Sequence, residues 1–228
     1  MHRFVSILMS AAVLLAASFH ASAEERFVLP PEAVTRLPVP QLEACAKPVY
    51  AKQSIIDDEQ GLVIVGVQVD AEGKALDSAI LVSSGFPTLD EAARRSYLQC
   101  THKPGTIAGK PAAMWSYVVY FWYINNDEKL KRRLAREALD GKAGARFQLG
   151  LILKMRATYE EMWRKGMELI IDAAERGDPM AQVMLAIEYE SGANVGRDMT
   201  VARRWYAKAA EQGNVIAADH LRVLDATH

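Results

Sequence analysis

Cysteine, histidine, net charge and long apolar runs are all scarce in this sequence, and each scarcity closes off a class of function. Among 228 residues there are 2 cysteines and 5 histidines. The cysteines do not form C-x-x-C, the spacing of a dithiol redox motif. A zinc site needs more such ligands close together than the chain offers. The formal net charge is −1 at pH 7, so no overall basic field argues for nucleic acid. No glycine-rich loop of the phosphate-cradling kind is present. Half of the residues are hydrophobic, which is the composition of an ordinary globular protein and not of a disordered one.

The longest run of apolar or small residues, 4–19, is shorter than the roughly 20 residues of a spanning helix. It follows His2 and Arg3 and is followed by Ala21-Ser22-Ala23 and then Glu24 and Glu25. A basic start, a short apolar stretch and a small-residue exit read as a signal peptide over residues 1–23. A retained anchor is the alternative. The mature chain is therefore expected in the periplasm, with no stable membrane span after cleavage. In an exported protein Cys45 and Cys100 read first as a disulfide, with a redox pair or metal ligands as competing readings. Such a bridge spans 55 residues, a loop whose closure stabilises by about 4 kcal/mol on chain-entropy grounds.

Three regions follow. Residues 24–43 carry Pro30, Pro31, Pro38 and Pro40, so they read as an extended tether. Residues 44–124 read as strands around one helix. Val63, Val65, Val67 and Val69 alternate and share one face of a strand. The opposite face, Leu62, Ile64, Gly66 and Gln68, is expected to be covered only in part. Asp70 to Gly73 is a turn, and Ala75–Ser83 returns. Thr88-Leu89-Asp90-Glu91 fits a capping box, and the helix behind it carries Leu89, Ala92, Ala93, Tyr97 and Leu98 in one stripe. A long aromatic strand is expected over Ala112–Ile124. Both of its faces are apolar. One packs on the helix; the other is either buried against the repeats or tether, or open to a partner.

Residues 125–137 read as a basic linker helix with Lys129, Lys131, Arg132, Arg133 and Arg136. Anionic lipid or peptide binding is the sharper reading of those charges, a solvated face the plainer one. Residues 138–228 repeat. Gly141, Gly177 and Gly213 recur every 36 residues, as do Ala145, Ala181 and Ala217, and Leu149, Leu185 and Leu221. A period in the mid-thirties marks a helix-turn-helix solenoid, with glycine ending each second helix. The fold class is thus α+β, a small antiparallel-sheet domain with one packed helix, followed by an all-α helical-repeat domain.

Chemistry finds little purchase. Ser83 and Ser84 precede Gly85 but lack the flanking glycines of a nucleophile elbow. His102 is the one histidine of the first domain, and no acid is suggested to orient it. A turn role suits the serines better. Asp57, Asp58 and Glu59 are consecutive, without the alternate spacing of a calcium loop. No catalytic residue, cofactor or metal is expected.

Residues 45–124 resemble the TonB C-terminal domain. The match runs through Pro48 and Tyr50, Gly61-x-Val63-x-Val65-x-Val67, Asp70-x-x-Gly73, Ser83-Ser84-Gly85, Leu89-Asp90, Ala92-Ala93, Lys103-Pro104 and Gly109-Lys110-Pro111. Ala51 departs from the second proline that often follows the tyrosine. Residues 138–221 resemble Sel-one-like repeats of the tetratricopeptide class, through Gly192, Gly196, Asp198, Ala202, Trp205, Tyr206, Ala209, Ala210 and Gly213. The resemblance implies a periplasmic, non-enzymatic interaction module that binds partner peptides by strand addition and through its repeats. Outer-membrane receptor peptides and other envelope proteins are the implied partners. The residues expected to contact them are Trp115, Tyr117, Val119, Phe121 and Tyr123, and the same strand offers a route to a homodimer. The alternative is an energy-transducing component of outer-membrane transport, anchored in the inner membrane and facing the periplasm.

Overall fold

The computed structural model describes residues 36–43, 45–124 and 126–226. The expected signal peptide and the first part of the tether lie outside the described residues. The first domain is built from β1 (Val39–Pro40), α1 (Lys52–Ile56), β2 (Gly61–Val69), β3 (Ala75–Val82), α2 (Pro87–Leu98), β4 (His102–Lys103), β5 (Gly105–Ile107), β6 (Lys110–Ala112) and β7 (Met114–Trp122). Six helices follow: α3 (Glu128–Leu139), α4 (Ala143–Met155), α5 (Glu160–Glu175), α6 (Pro179–Ser191), α7 (Met199–Glu211) and α8 (Val215–Ala226).

The main sheet has the order β3-β2-β7, with both pairs antiparallel. Successive strand side chains point to opposite faces, and here both faces are buried. On one face Val63, Val65, Val67, Val69, Val118, Tyr120 and Trp122 pack with Leu89, Ala93 and Tyr97 of α2. On the other, Leu62 and Ile64 are wholly buried in a cluster that continues into Leu130 and Leu134 of α3 and on through the repeats. The expectation of partial cover is corrected on this point. Burying a side chain of that size contributes about 1.5–3 kcal/mol, and the helical domain supplies the lid.

The aromatic strand is shorter than expected, because Lys110–Ala112 pair with Gly105–Ile107 in a separate hairpin. The start of α2 also differs. Phe86 is the N-cap, Pro87 opens the helix and no side chain caps it. Proline at the first helical position has its φ already set and no N–H to satisfy. Thr88 is exposed and Glu91 turns to Arg94 at 2.7 Å. Cys45 and Cys100 are joined, with Cα atoms 4.8 Å apart. The described part of the tether is docked: Val39–Pro40 pair with His102–Lys103, and the Ser116 hydroxyl donates to the Pro38 carbonyl at 2.7 Å.

Helices α3, α5 and α7 end alike. Gly141, Gly177 and Gly213 have φ of 90°, 95° and 83°. The next amide closes onto the carbonyl five residues back: Lys142 to Glu137, Asp178 to Ala173 and Asn214 to Ala209. This is the Schellman arrangement, and only glycine takes its left-handed position without strain. The expected solvated linker helix is therefore the second helix of an incomplete leading unit. Its Leu130, Leu134 and Ala138 are core, while Lys129, Arg132 and Arg136 stay exposed.

The first complete unit is the tightest. A Cβ on Gly150 would lie 2.7 Å from the Gly166 carbonyl oxygen and 2.9 Å from Leu169 Cβ. The places 36 residues on are Ala186 and Ala202. Gly150→Val is expected to destabilise by the upper end of about 1–3 kcal/mol, because the obstacle is backbone. A thermal melt within 2 °C of wild type would contradict it.

Candidate interaction surface

Strand β7 is an edge strand. Its register with β2 is unbroken, from Gly61↔Trp122 to Val69↔Met114. In an antiparallel pair, alternate residues direct both N–H and C=O at the neighbour, and the rest direct both away. The Trp115 N–H leaves the sheet and donates to Asp219 Oδ2 of α8 at 2.8 Å. Trp115 thus fixes the parity: Tyr117, Val119 and Phe121 also present their main-chain groups outward. Met114, Ser116, Val118, Tyr120 and Trp122 hold the ladder to β2. No described strand pairs with the outer edge.

Side chains and edge part company here. Trp115, Tyr117, Val119 and Phe121 are half-buried and pack against the core shared with the repeats. Burial, then the nearby Glu188 carboxylate, pushes the Tyr117 phenol above its usual range. The Arg156 guanidinium lies over the rings of Phe121 and Tyr123, at 5.8 and 5.4 Å. Tyr123 lies beyond the strand and is exposed. Of the two readings of this second face, the structure takes burial against the repeats. No described strand takes up the outward backbone of Tyr117, Val119 and Phe121.

At the first outward rung the edge is occupied. Arg222 Nη2 donates to the Ala113 carbonyl at 3.4 Å, and the same guanidinium pairs with Asp219 Oδ1 at 2.7 Å. Neither residue stands out in the composition or motifs. The 36-residue register was the signal that could have found them.

Behind α8 lies a buried polar cluster. The Tyr206 hydroxyl donates to Glu190 Oε2 at 2.6 Å, His220 Nδ1 sits 3.1 Å from the same oxygen, and the two rings stack at 4.6 Å. Burial alone would raise the Glu190 carboxyl, but His220, Tyr206 and Arg197 outweigh it and hold it below the usual range. Burial and Glu190 push the Tyr206 phenol strongly up. The cluster fastens α8 to the preceding unit.

The serines are tied into the strand end. Asp90 accepts from the Ser83 hydroxyl at 2.5 Å and from the Ser84 N–H at 2.8 Å. Ser84 Oγ is 3.2 Å from both the carbonyl and the amide nitrogen of Phe86. The main-chain N–H of His102 donates to the Gly73 carbonyl at 2.9 Å, ahead of β3, whereas Ser84 follows it. An eight-residue strand spans about 26 Å, so the two do not meet. Burial also lowers the His102 imidazole. Asp58 pairs with Lys129, and Asp57 bonds Gln53 at 2.9 Å. Together with Gln60, Phe86, Leu130, Arg133 and Arg136 they line a cleft of about 240 Å³ between the domains. Among the described residues no group of histidine, cysteine, aspartate and glutamate is placed to hold a metal ion. No described helix is long and apolar enough to cross a membrane.

Comparison with known proteins matches these two domains. The family model described as Gram-negative bacterial TonB protein C-terminal matches residues 46–123. That of the Sel1 repeat matches residues 179–214. A Sel1 repeat protein from Oxalobacter formigenes is 30% identical, covering 40% of this chain and 68% of its own, with a TM-score of 0.37. The c5321 antigen of uropathogenic Escherichia coli, described as having an SLR fold, is 30% identical over 43% of this chain and 21% of its own, at a TM-score of 0.38. The TonB C-terminal domain of Pseudomonas aeruginosa is 21% identical over 39% of this chain and 88% of its own, at 0.33. No curated protein matches the chain. Residues 46–123 are a domain of the TonB C-terminal family, and the helical region behind them carries Sel1 repeats.

Proposed function

We propose that this protein is a periplasmic, non-enzymatic interaction module that takes an extended peptide of an envelope protein onto the outer edge of β7. One observation carries the reading. The N–H and C=O groups of Tyr117, Val119 and Phe121 face away from β2, and no described strand pairs with that edge. An open edge is a template for another chain, and main-chain bonds supply much of the affinity in strand addition. Backing by the repeats keeps the edge fixed, so little ordering is required when a peptide binds.

Proline discriminates edge from ladder. Val119→Pro removes an outward N–H that β2 does not use, and proline is tolerated on the free side of an edge strand. Val118→Pro removes a ladder bond opposite Val65 and is expected to unfold the domain. Val119→Pro should keep wild-type circular dichroism and capture at least about tenfold less partner from periplasmic extract, through the lost bond and the clash of its ring. Val119→Ala, the side-chain control, should capture nearly as much as wild type. Equal capture by folded Val119→Pro would move the binding surface away from this edge.

A further inference from the structure

The repeat register makes α8 an exception, and the exception points at β7. Phe147 and Val183 occupy one place in α4 and α6, both wholly buried. Thirty-six residues after Val183 stands Asp219. The small residues at the helix crossing, Gly150 and Ala186, are followed in the same register by Arg222. Asp225 and His220 also depart from the repeat, standing where Tyr189 and Met184 do in α6, but they bind within the repeats, to Arg203 and Glu190. Asp219 and Arg222 are the departures that reach the strand edge. Asp219 is 11% exposed at its side chain, and its two oxygens are divided between the Trp115 N–H and Arg222.

The chemistry at that rung is that of a strand. The Ala113 C=O and the Trp115 N–H flank Met114 on the outer edge. One residue of a parallel neighbouring strand would donate its N–H to the first and accept from the second. Arg222 supplies the donor at 3.4 Å and Asp219 the acceptor at 2.8 Å. The pair is held together by its own ion pair, and α8 is anchored by His220 on Glu190 and by Arg203 on Asp225.

We infer that Asp219 and Arg222 are register-setting residues: they stand in for a partner strand at the Ala113–Trp115 rung, so a docking peptide is confined to the Tyr117–Phe121 rungs. The inference rests on the strand-addition reading. It adds that the repeats decide how far along β7 a partner pairs. The device also shields the start of an exposed edge, the kind of site where two chains otherwise pair indiscriminately.

The probe is a nine-residue uncharged peptide of alternating threonine and valine, acetylated and amidated, with an alternately N-methylated copy as the non-pairing control. Amide exchange is followed by NMR at Trp115, Tyr117, Val119 and Phe121 in the full chain. In wild type the Trp115 amide should exchange slowly without peptide, and the peptide should slow only the other three. In Asp219→Ala/Arg222→Ala the Trp115 amide should exchange freely alone, become protected by peptide, and the peptide should bind about tenfold tighter, the worth of one to two added main-chain bonds. Asp219→Asn keeps one acceptor, enough for the Trp115 N–H but not for Arg222 as well, and should leave Trp115 slowed, though less than in wild type. If the double variant does not fold, Asp219→Val/Arg222→Ala, which restores both residue types of α6, Val183 and Ala186, carries the same comparison. Protection of Tyr117, Val119 and Phe121 in both proteins, with Trp115 and the affinity unchanged, overturns the register role and leaves strand addition standing. Protection of none of these amides in either protein sinks strand addition and the register role together.

Discussion

Trp122→Ala is expected to lower stability by about 3–5 kcal/mol, the cost of emptying a large aromatic site. Trp122 is 1% exposed. Its ring meets Tyr50 edge-on at 4.7 Å and Tyr120 at 4.9 Å. Tyr50 in turn donates its hydroxyl to the Glu59 carbonyl at 3.0 Å. The indole therefore joins three things: the last rung of β7, the segment that leads into the sheet, and the loop before β2. Edge-to-face pairs add about 0.5–1.5 kcal/mol beyond area burial. Trp122→Phe is the informative companion. It keeps an aromatic ring and removes a buried Nε1–H that has no partner among the described residues. Leaving such a donor unmatched costs about 1–3 kcal/mol, so phenylalanine should lose well under half of what alanine loses. Urea unfolding of the three proteins decides it. An alanine variant within about 1 kcal/mol of wild type would mean that the lead-in segment does not depend on this ring.

Alternation in Val63 to Val69 and the recurrence of Gly141, Gly177 and Gly213 made both domains legible, because each pattern has one physical meaning. The first is a strand with a buried face; the second is a helix end that needs positive φ. Other features were hidden for equally physical reasons. An apolar second face on β7 says that something covers it, and local sequence does not say what. Tertiary packing by Leu130, Leu134 and the repeats answers that. The same gap disguised α3. Its charges read as a solvated helix, while its three buried residues, Leu130, Leu134 and Ala138, form a narrow stripe.

Residues 88–91 spell a capping box, yet Pro87 starts the helix earlier, and Glu91 is drawn to Arg94 instead. Local spelling lost to a stiffer neighbour. The candidate site was legible to the level of the strand. Trp115, Tyr117, Val119 and Phe121 share a parity, and that parity turns out to govern two directions at once. Their side chains go under the repeats, and their main-chain groups go to the outer edge, where Asp219 takes the N–H of Trp115. Asp219 and Arg222 are individually ordinary; only the comparison with Phe147, Val183, Gly150 and Ala186 makes them unusual.

Opening the Cys45–Cys100 bridge should have an effect of similar size to losing Trp122, by a different route. The bridge spans 55 residues, and closing such a loop in the unfolded chain is worth about 4 kcal/mol on the entropic account. That is a large share of a typical stability of about 5–15 kcal/mol. Around it, the Ser96 hydroxyl donates to the Ala46 carbonyl and Tyr50 packs on Trp122. These contacts hold the lead-in segment in the folded state whether or not the sulfurs are joined. Cys45→Ala/Cys100→Ala should therefore keep the folded dichroism spectrum and unfold at lower urea, since the loss falls mainly on the unfolded ensemble. The denaturant slope should rise as well, because an unlinked chain exposes more surface when it unfolds. Thiol labelling of the wild type without reductant should find no free cysteine. A double variant within about 1 kcal/mol of wild type would show that the lead-in contacts, and not the bridge, hold the start of the domain to α2.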